Sequence, residues 1–362
     1  MECPVIPIRS LSEFSNRLVD KIANRRIPVD GSIEITARCN LKCVHCYINL
    51  PASDIKAKNK ELSYKEICNI LDQIVDEGCL WLLITGGEPL IRHDFLDIYT
   101  YAKKKGVLIT LFTNGTLLTP YIADYLSDWP PHSIEITLYG LTQETYENVT
   151  GISGSHKRCM DGIDLLIERK LPLKLKTMVM TINKHEIWDI KKFAEDLGID
   201  FRFDPVLNLR IDGDKKPANF RIPPNEIVAL DFADEKRMEE WQKFCRKFLG
   251  IPFNSDYLYQ CGAGLQTFHI DPYGQLSVCM MSRVPSYDLQ RGSFKEAWHS
   301  FIPDVLSTKF SQDTLCRNCN LIALCGQCPG LAQIENSDPE RPVDYLCHIA
   351  HLRAEKFRLI NV

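Results

Sequence analysis

Cys39-Asn40-Leu41-Lys42-Cys43-Val44-His45-Cys46 carries three cysteines in eight residues, with gaps of three and then two. A strand-like run, Ser32-Ile33-Glu34-Ile35-Thr36, leads into it. Thiolates set this closely in a loop converge on one metal centre, whereas neighbours in a loop rarely form disulfides with each other. Three is the informative number. A cube of four irons held by three local thiolates keeps one iron open, unless a distant ligand closes it. An open iron is a place where a small molecule binds and reacts. The competing reading is three buried or disulfide-bonded cysteines, which needs an oxidising compartment.

Composition narrows the choice. The 362 residues suffice for one large domain and a smaller one. Hydrophobic residues are 45%, enough for a sizeable core. With 43 basic against 47 acidic residues, no strong field favours nucleic acid or an anionic membrane. Met1-Glu2-Cys3-Pro4-Val5 lacks the regions of a signal peptide, and no apolar run approaches the ~18 residues of a membrane span. The expectation is a cytoplasmic protein without a nucleic-acid or membrane partner. Fifteen cysteines is high for a reducing compartment, so metal binding explains them better than a disulfide scaffold. Three lie at 39–46 and seven between 261 and 347; Cys3, Cys68, Cys79, Cys159 and Cys245 read mostly as buried apolar thiols.

Residues 1–30 read as a short lead, with a helix over Leu11–Ile22 and Pro28 and Gly31 as punctuation. No peptide-recognition module is expected ahead of the core. From 31 to 205 strand and helix alternate. The strands are predicted at Ser32–Thr36, Leu80–Thr85, Val107–Phe112, Ser133–Leu138, Leu173–Val179 and Asp200–Asp204. Ser63 and Glu66 form a capping box for the first helix, whose Ile67, Ile70, Leu71 and Ile74 share one face. Further helices are predicted at Phe95–Lys104, Pro120–Asp128, His156–Glu168 and Glu186–Leu197. This alternation gives a parallel sheet with right-handed crossovers, and six strands suit a partial (β/α)6 TIM-like barrel. Such barrels place chemistry at the C-terminal ends of their strands, where the cysteine loop falls. Residues 206–255 bridge, with a helix start at Pro223-Pro224 and a charged helix from about Asp234 to Phe248. Residues 256–362 form a small cysteine-rich C-terminal domain closed by a helix.

Two further motifs follow strands. Gly86, Gly87 and Glu88, in Thr85-Gly86-Gly87-Glu88-Pro89, follow the second one. The glycines let backbone polar groups approach a ligand, and Glu88 offers a carboxylate to an ammonium group. Thr113-Asn114-Gly115-Thr116 follows the third, either as a turn and helix cap or as a ligand contact. Glu135 and Thr137 share one face of the fourth, either the interior or the helix layer.

The cysteine spacing resembles the C-x3-C-x2-C of radical S-adenosylmethionine (AdoMet) enzymes, and Gly-Gly-Glu-Pro in this position resembles their second motif. The resemblance implies that Cys39, Cys43 and Cys46 hold a 4Fe–4S cluster whose open iron chelates AdoMet. One electron then cleaves AdoMet to methionine and a 5′-deoxyadenosyl radical, which abstracts a substrate hydrogen. It implies AdoMet contacts from His45, Gly86, Gly87, Glu88, Asn114 and Thr137, with Arg158 at the carboxylate. The competing reading of Arg158 is a solvated surface arginine. No catalytic acid or base is assigned.

In the second cysteine field, twelve residues separate Cys261 from Gly274, and four separate Gly274 from Cys279. The segment between reads as a hairpin turning at Asp271-Pro272-Tyr273-Gly274. Cys316-x2-Cys319-x5-Cys325-x2-Cys328 and Cys347 complete the field. Paired C-x2-C motifs also suit zinc, but seven cysteines fit two centres better than one four-ligand zinc. The order resembles the SPASM domain, which carries two auxiliary 4Fe–4S clusters, and departs from it by one residue before Cys328. The resemblance implies an outer cluster on Cys316, Cys319, Cys325 and Cys347 and an inner one on Cys261, Cys279 and Cys328. The inner cluster's fourth position is left to an open iron, a non-cysteine ligand or Cys245, since Ser255 stands where some relatives have cysteine. Met280 stands where sulfatase-maturing relatives carry a catalytic aspartate, which argues against formylglycine formation.

The leading expectation is therefore oxidative modification of a ribosomally made precursor peptide. Three 4Fe–4S clusters and AdoMet would be the cofactors. A ferredoxin or flavodoxin would be the electron donor, and a separate peptide-recognition protein is a candidate partner. The alternative is a small molecule or tetrapyrrole side chain, for instance by oxidative decarboxylation. A non-enzymatic iron–sulfur or zinc protein has no need of an AdoMet pocket.

Overall fold

The computed structural model describes residues 25–360 except Asn49 and 250–255, together with 17–18 and 21–22. Most of the helix expected over Leu11–Ile22, and also Cys3 and Ser255, lie outside the described residues.

The strands, in chain order, are β1 (Asp30–Glu34), β2 (Arg38–Cys39), β3 (Leu50–Pro51), β4 (Trp81–Thr85), β5 (Leu108–Thr113), β6 (Ser133–Thr137), β7 (Leu173–Met178), β8 (Asp200–Asp204), β9 (Thr267–Ile270), β10 (Gln275–Ser277) and β11 (Tyr287–Asp288). Strands β1, β4, β5, β6, β7 and β8 pair in that order, all parallel. These are the six predicted strands of the partial barrel, each within two residues of its expected start. Helices cross over between them as the alternation requires. Residues of one parity, among them Ile33, Leu82, Ile84, Ile109, Leu111, Ile134, Ile136 and Leu175, are buried in one apolar core under the helices. Those of the other parity, including Phe112, Thr137, Lys176 and Asp204, face a cavity. That alternation settles the face shared by Glu135 and Thr137: it is the interior.

The helices begin where local chemistry directs. Ser63 Oγ accepts the Glu66 N–H, and the Glu66 carboxylate accepts the Ser63 N–H at 2.7 Å, capping helix Tyr64–Asp76. That helix buries Ile67, Ile70, Leu71 and Ile74 against the sheet. Phe95–Lys104 and Pro120–Asp128 start and stop as predicted. The sequence reading missed helix Gln143–Thr150, which Thr142 caps and Gly151 ends at φ +66°. Only Tyr146 and Val149 are apolar in it, too few to give a helical period.

The hairpin departs from expectation in a larger way. β9 and β10 turn at Asp271, whose carboxylate accepts the Tyr273 and Gln275 N–H groups. β9 adds parallel to β1, extending the sheet to nine strands in the order β11-β10-β9-β1-β4-β5-β6-β7-β8. Gly31 is consequently a strand residue rather than punctuation. A Cβ there would lie 2.2 Å from the Phe268 ring, so the glycine makes the space that this aromatic fills. The C-terminal half is thus tied to the barrel's first strand by backbone pairing.

Beyond β8, helices Pro224–Ala233, Glu235–Phe248 and Asp344–Ile360 pack around a second apolar region. Buried Asp231 accepts from Arg353 at 2.8 Å and Arg237 at 2.7 Å, fixing these helices to one another. Cys245 is buried there, among Leu324, Ala350, Ala354 and Phe357.

Candidate functional site

The cysteine loop leaves β1 and is braced at three points. At its entry, the Gly87 N–H donates to Thr36 O at 2.8 Å and the Glu88 N–H to Arg38 O at 2.9 Å. A Cβ on Gly86 would lie 2.3 Å from Thr36 O, and one on Gly87 2.3 Å from Arg38 O. The glycines therefore admit the neighbouring backbone first, and only then border the ligand space. At its middle, Lys42 and Val44 donate their N–H groups to Thr150 O (2.8 Å) and Val149 O (3.0 Å) at the end of helix Gln143–Thr150. At its exit, β2 pairs with β3, while the Arg38 guanidinium holds the buried Glu61 carboxylate at 2.9 and 3.0 Å.

Glu88 is wholly buried, just behind the cavity wall. Its carboxylate accepts the Thr113 hydroxyl (2.8 Å), the Leu90 N–H (3.0 Å) and the Asn114 N–H (2.7 Å). Burial raises its pKa to about 7, against these three donors. Asn114 is equally engaged. Its amide donates to Asn40 Oδ1 at 2.9 Å and to Cys39 Sγ at 3.7 Å, and its oxygen accepts from Thr116. Asn40 closes the ring by donating to Thr116 Oγ1 at 2.7 Å. The third-strand motif is at once a turn and a support for the first cysteine.

Cys39, Cys43 and Cys46 border a cavity of about 430 Å³ at the C-terminal ends of the strands. This is the size of small-molecule sites generally. Burial pushes the Cys39 thiol up to about 12, with the Glu88 carboxylate adding to it, and drives Cys43 well above its ordinary value. Such thiols surrender their protons to a metal rather than to water. His45 is held neutral, its pKa lowered by burial to about 4, and its ring meets the edge of Tyr139 at 4.9 Å. His45 Nδ1 is buried without a hydrogen-bond partner.

Of the residues the sequence singled out, His45, Gly86, Gly87, Asn114 and Thr137 line this cavity with the three cysteines. Glu88 acts through the wall. Arg158 is exposed and does not line the cavity. The sequence reading missed Tyr47, Lys176, Arg202, Asp204 and Met281, which line the cavity too, as does Met280. Lys176 and Arg202 converge on Glu135, at 3.5 and 2.7 Å. The period of two that placed Thr137 places Lys176 as well, since the two are cross-strand partners.

Tyr47 and Met280 join the two halves. The Tyr47 hydroxyl donates to Glu34 at 3.2 Å and lies 3.2 Å from Met280 Sδ. Arg283 grips the same fully buried Glu34 with contacts at 2.6 and 2.9 Å.

Cys261, Cys316 and Cys328 border a second cavity of about 210 Å³, and the charges of Cys279 and Cys261 act on Cys328. Cys316, Cys319, Cys325 and Cys347 border a third, of about 20 Å³. Among the described residues, no three His, Cys, Asp or Glu groups close tightly enough for a single metal ion. All-thiol donor sets suit iron–sulfur clusters.

Residues 33–196 match the family model of the Radical SAM superfamily. The matched stretch takes in the cysteine loop and Glu88. Its sequence is 35% identical over 165 residues to an AdoMet-dependent heme synthase of Methanosarcina barkeri, covering 46% of each chain. It is 25% identical over 316 residues to the antilisterial bacteriocin subtilosin biosynthesis protein AlbA of Bacillus subtilis, covering 83% of this chain and 67% of AlbA. The chain thus spans about half the length of the first of these relatives. Streptococcus suis SuiB bound to its precursor peptide SuiA shares the fold, with a TM-score of 0.70 at 17% identity over 96% of this chain and 84% of SuiB. Among the described residues no helix is long and apolar enough to cross a membrane.

Proposed function

We propose that this enzyme reductively cleaves AdoMet and uses the resulting 5′-deoxyadenosyl radical to modify a ribosomally made precursor peptide, by a cross-link or related C–H functionalisation. One observation carries the reading. The three-cysteine loop and the Met280–Met281 segment that follows Cys279 border a single cavity. A radical centre and an oxidant that border one space suit an oxidative bond formation.

In this reading Cys39, Cys43 and Cys46 hold the AdoMet-binding cluster. A SPASM-type unit, within residues 256–362, holds an inner auxiliary cluster on Cys261, Cys279 and Cys328 and an outer one on Cys316, Cys319, Cys325 and Cys347. When bound, these groups supply one-electron AdoMet cleavage at the first site and removal of the second electron at the others. The chain's own residues do the rest. Glu88 and Asn114 fix the third-strand loop against Cys39. Gly86 and Gly87 offer a bare backbone edge to AdoMet, and neutral His45 and Thr137 border it. Residues 31–205 form the barrel and 206–255 the bridge. A ferredoxin or flavodoxin delivers the electron in the cytoplasm, and a separate recognition protein presents the peptide. That SuiB binds a precursor peptide on the same fold, and that AlbA serves bacteriocin biosynthesis, supports a peptide substrate.

A tetrapyrrole side chain is the second reading. The 35% identity to a heme synthase favours it, and Lys176 and Arg202 on the cavity wall offer donors to a propionate. Anaerobic incubation with AdoMet, reductant and each candidate decides. Peptide-dependent 5′-deoxyadenosine, with a two-hydrogen mass loss in the peptide, supports the first reading. Turnover with an iron porphyrin and release of carbon dioxide supports the second.

A further inference from the structure

The inner cysteine set has three members, and the structure shows what stands beside it. Cys245 does not: its thiol is packed among aliphatic and aromatic side chains of the C-terminal helices. The 210 Å³ cavity bordered by Cys261 and Cys328, and by Cys316 of the outer set, is also lined by Glu340. Glu340 is 8% exposed. Its Oε1 accepts the Ser311 N–H at 2.9 Å, and its own N–H is held by Asp338 Oδ1 at 2.9 Å, so its place is fixed. Its Oε2 is buried and has no hydrogen-bond partner. None of the ion pairs among the described residues includes it.

A buried carboxylate with no cation and one oxygen unbonded is costly, and folded proteins tolerate one where it is paired or binds a metal. Gln260 Oε1 also lines this cavity unpartnered. It is a neutral amide, however, and its burial leaves no charge to compensate.

We propose that the Glu340 carboxylate is the fourth, oxygen ligand of the inner auxiliary cluster, completing Cys261, Cys279 and Cys328. The inference rests on the auxiliary-cluster reading above. It makes the inner cluster fully ligated through the protein, an electron acceptor rather than a substrate-binding iron. A hard oxygen donor in place of a thiolate also sets this cluster apart spectroscopically from the all-cysteine outer one.

The test uses the full chain with Cys39, Cys43 and Cys46 replaced by alanine, reconstituted anaerobically with iron and sulfide. This parent is expected to hold about eight irons. In it, Glu340→Ala is expected to shift the electron paramagnetic resonance g-values of the reduced inner cluster and to lose about one iron on mild oxidation, as a three-iron signal. Glu340→Cys is expected to restore four-iron behaviour with a third set of g-values. Gln260→Ala is expected to match the parent. Glu340→Gln, which keeps the volume and the Ser311 hydrogen bond, replaces Glu340→Ala where the latter does not fold. A parent-like spectrum and iron count in the Glu340 variants overturns this assignment alone, as does a shift from Gln260→Ala in their stead. A parent holding fewer than about five irons overturns the auxiliary-cluster reading and the assignment with it.

Discussion

The Asn114 backbone N–H donates to Glu88 Oε2 at 2.7 Å, and through that bond a residue of the second-strand motif sets the position of the third. Asn114 in turn reaches Cys39 Sγ. Glu88 is therefore tied to the cysteine loop by two routes, its own N–H to Arg38 O and its carboxylate by way of Asn114. Replacing it by alanine strands three buried donors. Each costs about 1 kcal/mol or more, so Glu88→Ala is expected to lose roughly 2–4 kcal/mol in urea denaturation. It is also expected to weaken AdoMet binding in isothermal calorimetry of the reconstituted protein. Unchanged stability would remove the structural role assigned to this carboxylate.

Gly87→Ala is expected to be worse than a usual glycine substitution. Its Cβ would meet Arg38 O at 2.3 Å and Ala37 O at 2.8 Å, backbone atoms that cannot swing aside as a flexible side chain would. A loss of about 3 kcal/mol or more is expected, at the upper end for overpacking. Gly262→Ala is the control: a Cβ there meets nothing within 4 Å, and it should stay within about 0.5 kcal/mol of the parent. Equal melting temperatures for the two variants would refute the close-approach argument.

Arg283→Met tests the tie between the halves. It leaves the fully buried Glu34 carboxylate with the Tyr47 hydroxyl and no cation. The expected loss is about 3–5 kcal/mol, the usual cost of breaking a buried pair from one side. The double variant Glu34→Gln, Arg283→Met is expected to recover part of it. A double variant no better than the single one would show that the charge is not the source of the cost.

Lys176 gives a pH dependence with a definite sign. Burial, with Arg202 adding to it and Glu135 opposing, lowers its pKa from 10.5 to about 7. Between those values the unfolded chain carries a proton that the folded one lacks, so this group's contribution to stability rises with pH across that window and is flat below it. The stability of the parent minus that of Lys176→Met is expected to climb from pH 7 to 10, by at most about 1.4 kcal/mol per unit. Denaturation curves at pH 7, 8 and 9 show the slope; a falling difference contradicts the assignment.

Replacing Cys39, Cys43 and Cys46 together by alanine is expected to remove about four of twelve irons and all 5′-deoxyadenosine formation. Cys245→Ala is expected to leave the iron count unchanged and to cost about 1–2 kcal/mol, because the smaller side chain fills its apolar core less well. Loss of about four irons on Cys245→Ala would move the fourth-ligand role to that thiol.

The alternation of strand and helix was legible because parity and helical period are local: Ile109 and Leu111 point one way from β5 whatever the rest of the chain does. The capping box at Ser63 and Glu66 needed only four consecutive residues. Helix Gln143–Thr150 was not legible. It exists because Thr142 caps it and because its last carbonyls receive Lys42 and Val44 from a loop about a hundred residues away. The purpose of Gly86 and Gly87 was legible only in part. Small residues after a strand announce a close approach, and the sequence does not say that the nearest object is Thr36–Arg38.

What the sequence by itself determined is the inventory: six strands in order, three cysteines on one loop after the first, and seven more in a spaced field. Spacing within a loop is a local constraint, and three thiols a few residues apart have little choice but to meet. Tertiary structure decided what lies between distant elements. It placed β9 against β1, set Met280 against Tyr47 beside the cysteine loop, put Lys176 on the wall and left Arg158 on the surface. It also brought Glu340, some eighty residues from Cys261, to the cavity that Cys261 borders. Such pairings rest on burying a shared apolar face and on satisfying each buried charge, and both conditions belong to the folded chain as a whole.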